Sequence, residues 1–358
     1  MKKRKTLLPF IILMSAALIV GCENESASTG TVDTSGDGWL LPQGAIYSGG
    51  PGKDGIPALS DPQFQSASSA NYADDDLVIG VKFGEDVRAY PHIILDWHEI
   101  INDKVNGRAI SITYCPLTGS GIGWNRRLTA GKTTFGVSGL LYNNNLIPYD
   151  RATESHWSQM KLQGVEGQLA GKKADLYRVV ETEWGTWKEN FPSTKVMTTN
   201  TGYDRPYGNY PYGGYKENHQ SIYFPVTHSD SRMKAKVRVL GLLTAGKAVA
   251  FRIADFPPTL TVLNETYNGS PYVIIGNSRE NFAVAYKRLA EDGTVLHFQP
   301  EYDQGSIVMK DSSGTKWNLL GRAVSGPLAG EELPVTRSYI AYWFAWAAFN
   351  PDTRIYSF

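Results

Sequence analysis

Two tryptophan motifs, about 160 residues apart, restrict what this chain can fold into more than any other feature of its sequence. Residues 184–196, opening Trp184-Gly185-Thr186-Trp187, and residues 343–355, opening Trp343-Phe344-Ala345-Trp346, share one W-x2-W-x4-P-x-T frame. More pairs follow in the same order at nearly the same offset. Asn102-Asp103 faces Asn264-Glu265, Trp124-Asn125-Arg126 faces Tyr286-Lys287-Arg288, and Thr134-Phe135 faces His297-Phe298. Asp150 and Trp157, followed by Leu169-Ala170-Gly171, face Asp311 and Trp317, followed by Leu328-Ala329-Gly330. Collinear matches of this kind predict one fold unit written twice. Copy one spans 39–198, copy two spans 231–358, and a Tyr- and Gly-rich connection over 199–230 joins them.

Each copy reads as short antiparallel strands followed by one helix. Val78–Phe83 and Val87–Tyr90 flank a Gly84-Glu85-Asp86 turn, a hairpin signal. Ala109–Tyr114, Lys132–Val137 and Leu146–Tyr149 are strand-like runs between Gly and Asn clusters, and Glu181–Asn190 before Pro192 reads as the helix. Copy two repeats this with strands near 237–243, 248–253, 271–275, 282–287 and 305–309 and a helix near 338–349. With no βαβ rhythm, the predicted class is α+β and β-rich, without a parallel doubly wound sheet.

The segment before the first copy is a targeting signal. Lys2, Lys3, Arg4 and Lys5 precede an apolar run, Leu7–Val20, too short to span a bilayer comfortably. Ile19-Val20-Gly21-Cys22 then has the form of a lipobox, which predicts lipidation at Cys22 after removal of residues 1–21. Residues 22–38, almost without apolar side chains, form a flexible tether. The expected partner is therefore the membrane, through the anchor, with the protein held on the extracytoplasmic side of the cell envelope. Thirty-five basic and 35 acidic residues cancel, which removes the electrostatic basis for nucleic-acid binding. With Cys22 acylated, Cys115 is the one remaining thiol, so no internal disulfide forms.

The copies differ where chemistry is concerned: Cys115 falls opposite Asn277, and His98 opposite Leu260. His98 lies on the apolar side of a helical run that starts at Pro91. It is either a core histidine bonded to backbone or a base or ligand. Cys115 ends a strand beside the Pro116–Gly121 turn, as a small buried hydrophobe or as a nucleophile or metal ligand. Together the two make a candidate thiolate–imidazolium pair, or half of a copper or zinc site. Asp150, Arg151 and His156 lie in the densest polar stretch, and Arg88 and Arg126 are further cations for an anionic ligand or for plain ion pairs.

Arg88-Ala89-Tyr90-Pro91, the run from Trp97 to Asp103, the run from Thr113 to Gly119, Phe135–Gly139, Tyr149-Asp150-Arg151 and the closing Trp343–Trp346 complete the set of motifs. In this order they resemble domain-of-unknown-function family 3179, over roughly residues 55–358. The resemblance implies an extracytoplasmic bacterial protein and carries no activity with it. It also implies a C-x-x-C in some members; Thr118 replaces the second Cys here, which weakens any dithiol redox role. The leading expectation is a small ligand or soft metal ion near Cys115 and His98. The rivals are a hydrolase or transferase with a Cys115 nucleophile, and a glycan or peptide module using Tyr203–Tyr215.

Overall fold

The computed structural model describes residues 38–303 and 306–358. The signal segment, Cys22 and nearly all of the tether lie outside them. The chain is β-rich, with three short α-helices among the described residues, and none of these is long and apolar enough to cross a membrane.

Two sheets set the frame. In the first, the spatial order is Val180–Glu183, Leu77–Phe83, Asp86–Pro91, Lys195–Met197 and Phe64–Ser66. In the second, it is Arg337–Tyr342, Arg238–Thr244, Lys247–Arg252 and Arg354–Ile355. The registers correspond, since Val180 pairs with Gly80 and Tyr339 pairs with Gly241. Both glycines are required by tryptophan: a Cβ on Gly80 would lie 2.4 Å from Trp187, and one on Gly241 would lie 2.1 Å from Trp346. Each indole N–H then donates to a threonine seven residues later, Trp187 to Thr194 and Trp346 to Thr353, both at 2.9 Å.

The remaining sheets correspond as well. Ile100–Val105, Arg108–Cys115 and Ser120–Asn125 are neighbours in one half, and Thr261–Tyr267, Ser270–Asn277 and Phe282–Lys287 in the other. Asn102 holds the Phe135 backbone with two 2.9 Å bonds, and Asn264 holds Phe298 with two at 2.8 Å. Trp157 donates to Asp150 and Trp317 to Asp311. The two halves pack reciprocally. Val180–Glu183 lies against Phe282–Lys287, and Arg337–Tyr342 lies against Ser120–Asn125. The two largest apolar clusters each draw residues from both halves, while two smaller ones lie one within each half.

Some predicted boundaries move. Both closing helices are shorter than read: α2 is Trp184–Asn190 and α3 is Trp343–Phe349. The residues before them, Val180–Glu183 and Arg337–Tyr342, are strands, because their backbones complete the hairpins of the two frame sheets. The predicted Lys132–Val137 strand begins instead at Phe135, since Gly131–Lys132 turns back onto Arg127–Leu128. The first half also carries a helix, α1 (His92–His98), where the second half has only the single turn Ile253–Asp255.

Candidate functional site

Helix α1 sets the site. Pro91 sits just before its first turn and fixes the chain entry, and the helix ends at Glu99, whose φ of +56° turns the backbone into the strand Ile100–Val105. One helical turn separates His92 from Asp96, placing both on one face, while His98 and Glu99 close the C-terminal end. All four are buried.

His92 packs against Tyr114 with tilted rings whose centroids lie 4.3 Å apart, and neither of its nitrogens has a hydrogen-bond partner. Its Nε2 lies 3.8 Å from Glu181 Oε1, an ionic distance rather than a hydrogen bond. Burial, helped by Lys216 and Arg238, holds the imidazole well below its usual pKa, so the ring is neutral. Glu181 Oε1 accepts from Arg238 at 2.6 Å, which ties the two halves together, and Oε2 is left unpartnered. Asp96 accepts from Lys216 at 3.0 Å through Oδ2 and leaves Oδ1 unpartnered; burial pushes this carboxyl up to about 6 against the pull of Lys216.

Glu181 is among the residues lining a part-open cleft of about 60 Å³ at the seam where the halves meet. Its walls include Gly121–Gly123, Arg178, Leu240, Ala283–Tyr286 and Ser338–Ile340. A Cβ on Gly121 would stand 3.1 Å from Glu181 Oε2, so glycine leaves that oxygen room.

The second pole lies at the other end of α1. Cys115 is fully buried, its Sγ donating to the Asn144 carbonyl at 3.4 Å. Burial, reinforced by the charge of Glu99, pushes the thiol up to about 11. Glu99 is itself pushed up to about 8 by burial, with the Tyr212 side chain as its hydrogen-bond partner. The Tyr-rich connection covers this pole, with Tyr210 and Tyr215 donating to the carbonyls of Pro116 and Leu117.

The expected Cys115–His98 pair does not form. His98 directs Nδ1 to the Pro57 carbonyl at 2.8 Å and Nε2 to the Tyr207 hydroxyl at 2.6 Å, leaving no nitrogen for the thiol or for a metal. Among the described residues, no group of three or more His, Cys, Asp and Glu is placed to hold a metal ion. The copper or zinc centre sketched from Cys115 and His98 thus lacks its ligands. A fully buried thiol titrating near 11 is also a poor nucleophile. A rise from 9.0 to about 11 lowers its thiolate fraction at neutral pH roughly 100-fold. Iodoacetamide labelling of native protein at pH 7 is expected to be slower by at least this factor and to appear only on unfolding; labelling at the free-thiol rate would contradict the buried placement.

The other sequence candidates are bonded within the fold. Arg88 pairs with Asp86 and Asp103, and Arg126 donates to the carbonyls of Ile110, Thr133 and Asp103. Asp150 accepts from Trp157 and Thr153, Arg151 pairs with Asp54, and His156 bonds Glu166. Of the tyrosines at 203–215, Tyr203 is the exposed one; Tyr210, Tyr212 and Tyr215 turn inward, away from the role of a platform.

A family model described as protein of unknown function (DUF3179) matches residues 53–353. The chain belongs to this family. No curated protein and no solved structure matched it. The family match spans α1, Cys115, Glu181, the connection and Arg238 together, so both poles lie inside the family domain. Sequence reasoning missed His92, Asp96, Glu99 and Glu181. The signal was present: Ile340 occupies the Glu181 register position, and Ile253 follows the strand matching the one before His92.

Proposed function

We propose that this family member is a lipid-anchored envelope protein, duplicated in its fold, whose first unit has acquired a small-ligand site at the seam between the two units. The anchor is the lipobox cysteine, Cys22. What supports the ligand site is one comparison: Glu181 and Ile340 stand at matched register positions and both face the same cavity. Beside Glu181 the first unit carries His92, 3.8 Å away, where the second has Ile253, and at the far pole it carries Cys115 and His98, where the second has Asn277 and Leu260. Asn277 merely closes a turn, accepting from the Arg279 N–H at 2.9 Å. The second unit folds with these residues, so the architecture does not demand the polar set.

Burying a polar atom without a partner costs about 1–3 kcal/mol. Both units hold such atoms, and in the first they include two neighbours, His92 and Glu181, 3.8 Å apart. A fold that accepts isoleucine at two of these positions retains the polar version for a use other than stability. The test is a screen of small polar fragments against the mature chain by two-dimensional amide NMR. Binders are expected to shift resonances of Gly121–Gly123, Glu181 and Ala283–Tyr286 as one group. Hits scattered over the surface, or no saturable hit, would remove the ligand reading.

A further inference from the structure

The surface where the described chain begins carries a second membrane contact, an inference that rests on the Cys22 anchor proposed above. Trp39 and Leu41 pack into the small apolar cluster with Ile46 and Val165, and Trp39 also lies against His156 with ring centroids 5.2 Å apart. Leu40, between them, points outward and is 51% exposed. Its N–H donates to the Val165 carbonyl at 2.7 Å, which pins this outward residue to the fold. A lone surface leucine is ordinary. Its neighbours and its place in the chain make this one informative.

Gly171 lies against Leu40, since a Cβ there would meet Leu40 Cδ1 at 4.0 Å. Lys172 and Lys173 follow directly, and both are exposed. Their backbones pair with Gly164 and Gln163, the residues just before the one that holds Leu40. Among the described residues neither lysine has a carboxylate partner, whereas Lys53 and Arg151 are taken up by Glu154 and Asp54. Glu166, next to Val165, is paired with His156 at 2.7 Å. Further along, Ala174 bonds Leu162, which sets Asp175 across from Lys161, one charge of each sign. The surface beside Leu40 is therefore apolar and positive.

The chain from Cys22 to Gly38 enters the fold at this surface. A Gly- and Ser-rich chain of that length spans roughly 20–25 Å root-mean-square, so a lipid on Cys22 keeps this face close to the bilayer. An anionic bilayer acts on charges within about 8 Å at physiological salt, and each lysine in that layer raises affinity roughly fivefold. We propose that Leu40, Lys172 and Lys173 form a docking patch for anionic phospholipid headgroups, with the lysines on the phosphates and Leu40 at the edge of the acyl region. The competing occupant is the tether itself, which holds Glu23, Glu25, Asp33 and Asp37 and no basic residue. An anionic bilayer repels those four carboxylates and attracts the two lysines.

The experiment places a polarity-sensitive dye on Leu40→Cys, where the buried Cys115 does not compete for label. The full chain, purified with its anchor, is reconstituted into vesicles of phosphatidylcholine alone or of equal parts phosphatidylglycerol and phosphatidylcholine. A blue shift is expected in the anionic vesicles, reversed by high salt. Adding Lys172→Gln and Lys173→Gln should lower the ratio of shifted to unshifted dye at least tenfold, with an unchanged denaturation midpoint. Flotation with the vesicles and the intact mass report the anchor separately. A chain that floats while its dye stays water-like in both vesicles would overturn the patch and leave the anchor standing. An equal shift in both vesicles, or in the lysine variant, would overturn the role of the lysines. A dye already shifted in buffer, in a chain with Cys22→Ser, would mean that the tether occupies the patch and would overturn the proposal. A chain unacylated at Cys22 would overturn the anchor and this inference with it.

Discussion

Replacing Glu99 by Gln is expected to remove a loss of stability that the native protein suffers as pH rises from about 4.5 to about 8. Burial raises this carboxyl from its ordinary 4.5 to about 8, so the folded state holds the proton more tightly than the unfolded state. Below the unfolded value both states are protonated and Glu99 costs nothing. Between the two values the unfolded chain has already released the proton, so the unfolding free energy falls by about 1.4 kcal/mol per pH unit. The summed loss at and above pH 8 is roughly 4–5 kcal/mol as an upper bound. Gln has the same shape, keeps an oxygen toward Tyr212 and does not titrate. Denaturant midpoints of both proteins from pH 5 to pH 9 should diverge through this window, with the variant the more stable. Asp96 also titrates near this range, but it is common to both proteins and cancels in the difference. Parallel curves would show that Glu99 ionises freely and is not enclosed by Tyr212 and the connection.

The second large effect is at Glu181. Truncating it to Ala leaves Arg238, with little of its side chain exposed, without its ionic partner. Breaking a buried pair from one side costs about 3–5 kcal/mol, because the remaining charge stays desolvated. Arg238 keeps its contact with the Asn281 side chain, which places the expected loss near the lower end. Adding Arg238→Met to Glu181→Ala should recover most of the loss, since no uncompensated charge then remains. Chemical denaturation of the two single variants and the double variant measures this. A cost below about 1 kcal/mol for Glu181→Ala would mean that the inter-unit ion pair is solvated.

The β-rich class was legible in the runs of short strands between Gly and Asn turns, and a few strict contacts account for the spaced identities. Trp187 and Trp346 each demand a glycine on the neighbouring strand and a threonine seven residues later, and such constraints survive in a sequence as spaced identities. Asn102 and Asn264, with two backbone bonds each, persist for the same reason. The segments before the two tryptophans, Val180–Glu183 and Arg337–Tyr342, carry strand-favouring Val, Thr, Ile and Tyr, but they run straight into the helices, and pairing with the hairpins is what separates strand from helix. The polar site was legible only in part. Cys115 and His98 stood out by residue type, yet His98 is claimed by Pro57 and Tyr207, two segments remote in sequence. His92, Glu99 and Glu181 look like ordinary surface residues along the chain. The connection and the opposite half bury them, and no local pattern records that.

We propose that the first half carries polar groups where the fold accepts apolar ones, and His92→Ile tests this most directly. The substitution installs the residue found at the corresponding place, Ile253, and removes two buried nitrogens that have no partners. Urea denaturation at pH 7 is expected to show the variant more stable than the native chain by about 1–3 kcal/mol, with an unchanged slope. A variant destabilised by a similar amount would mean that His92 is a structural residue, and would contradict the account.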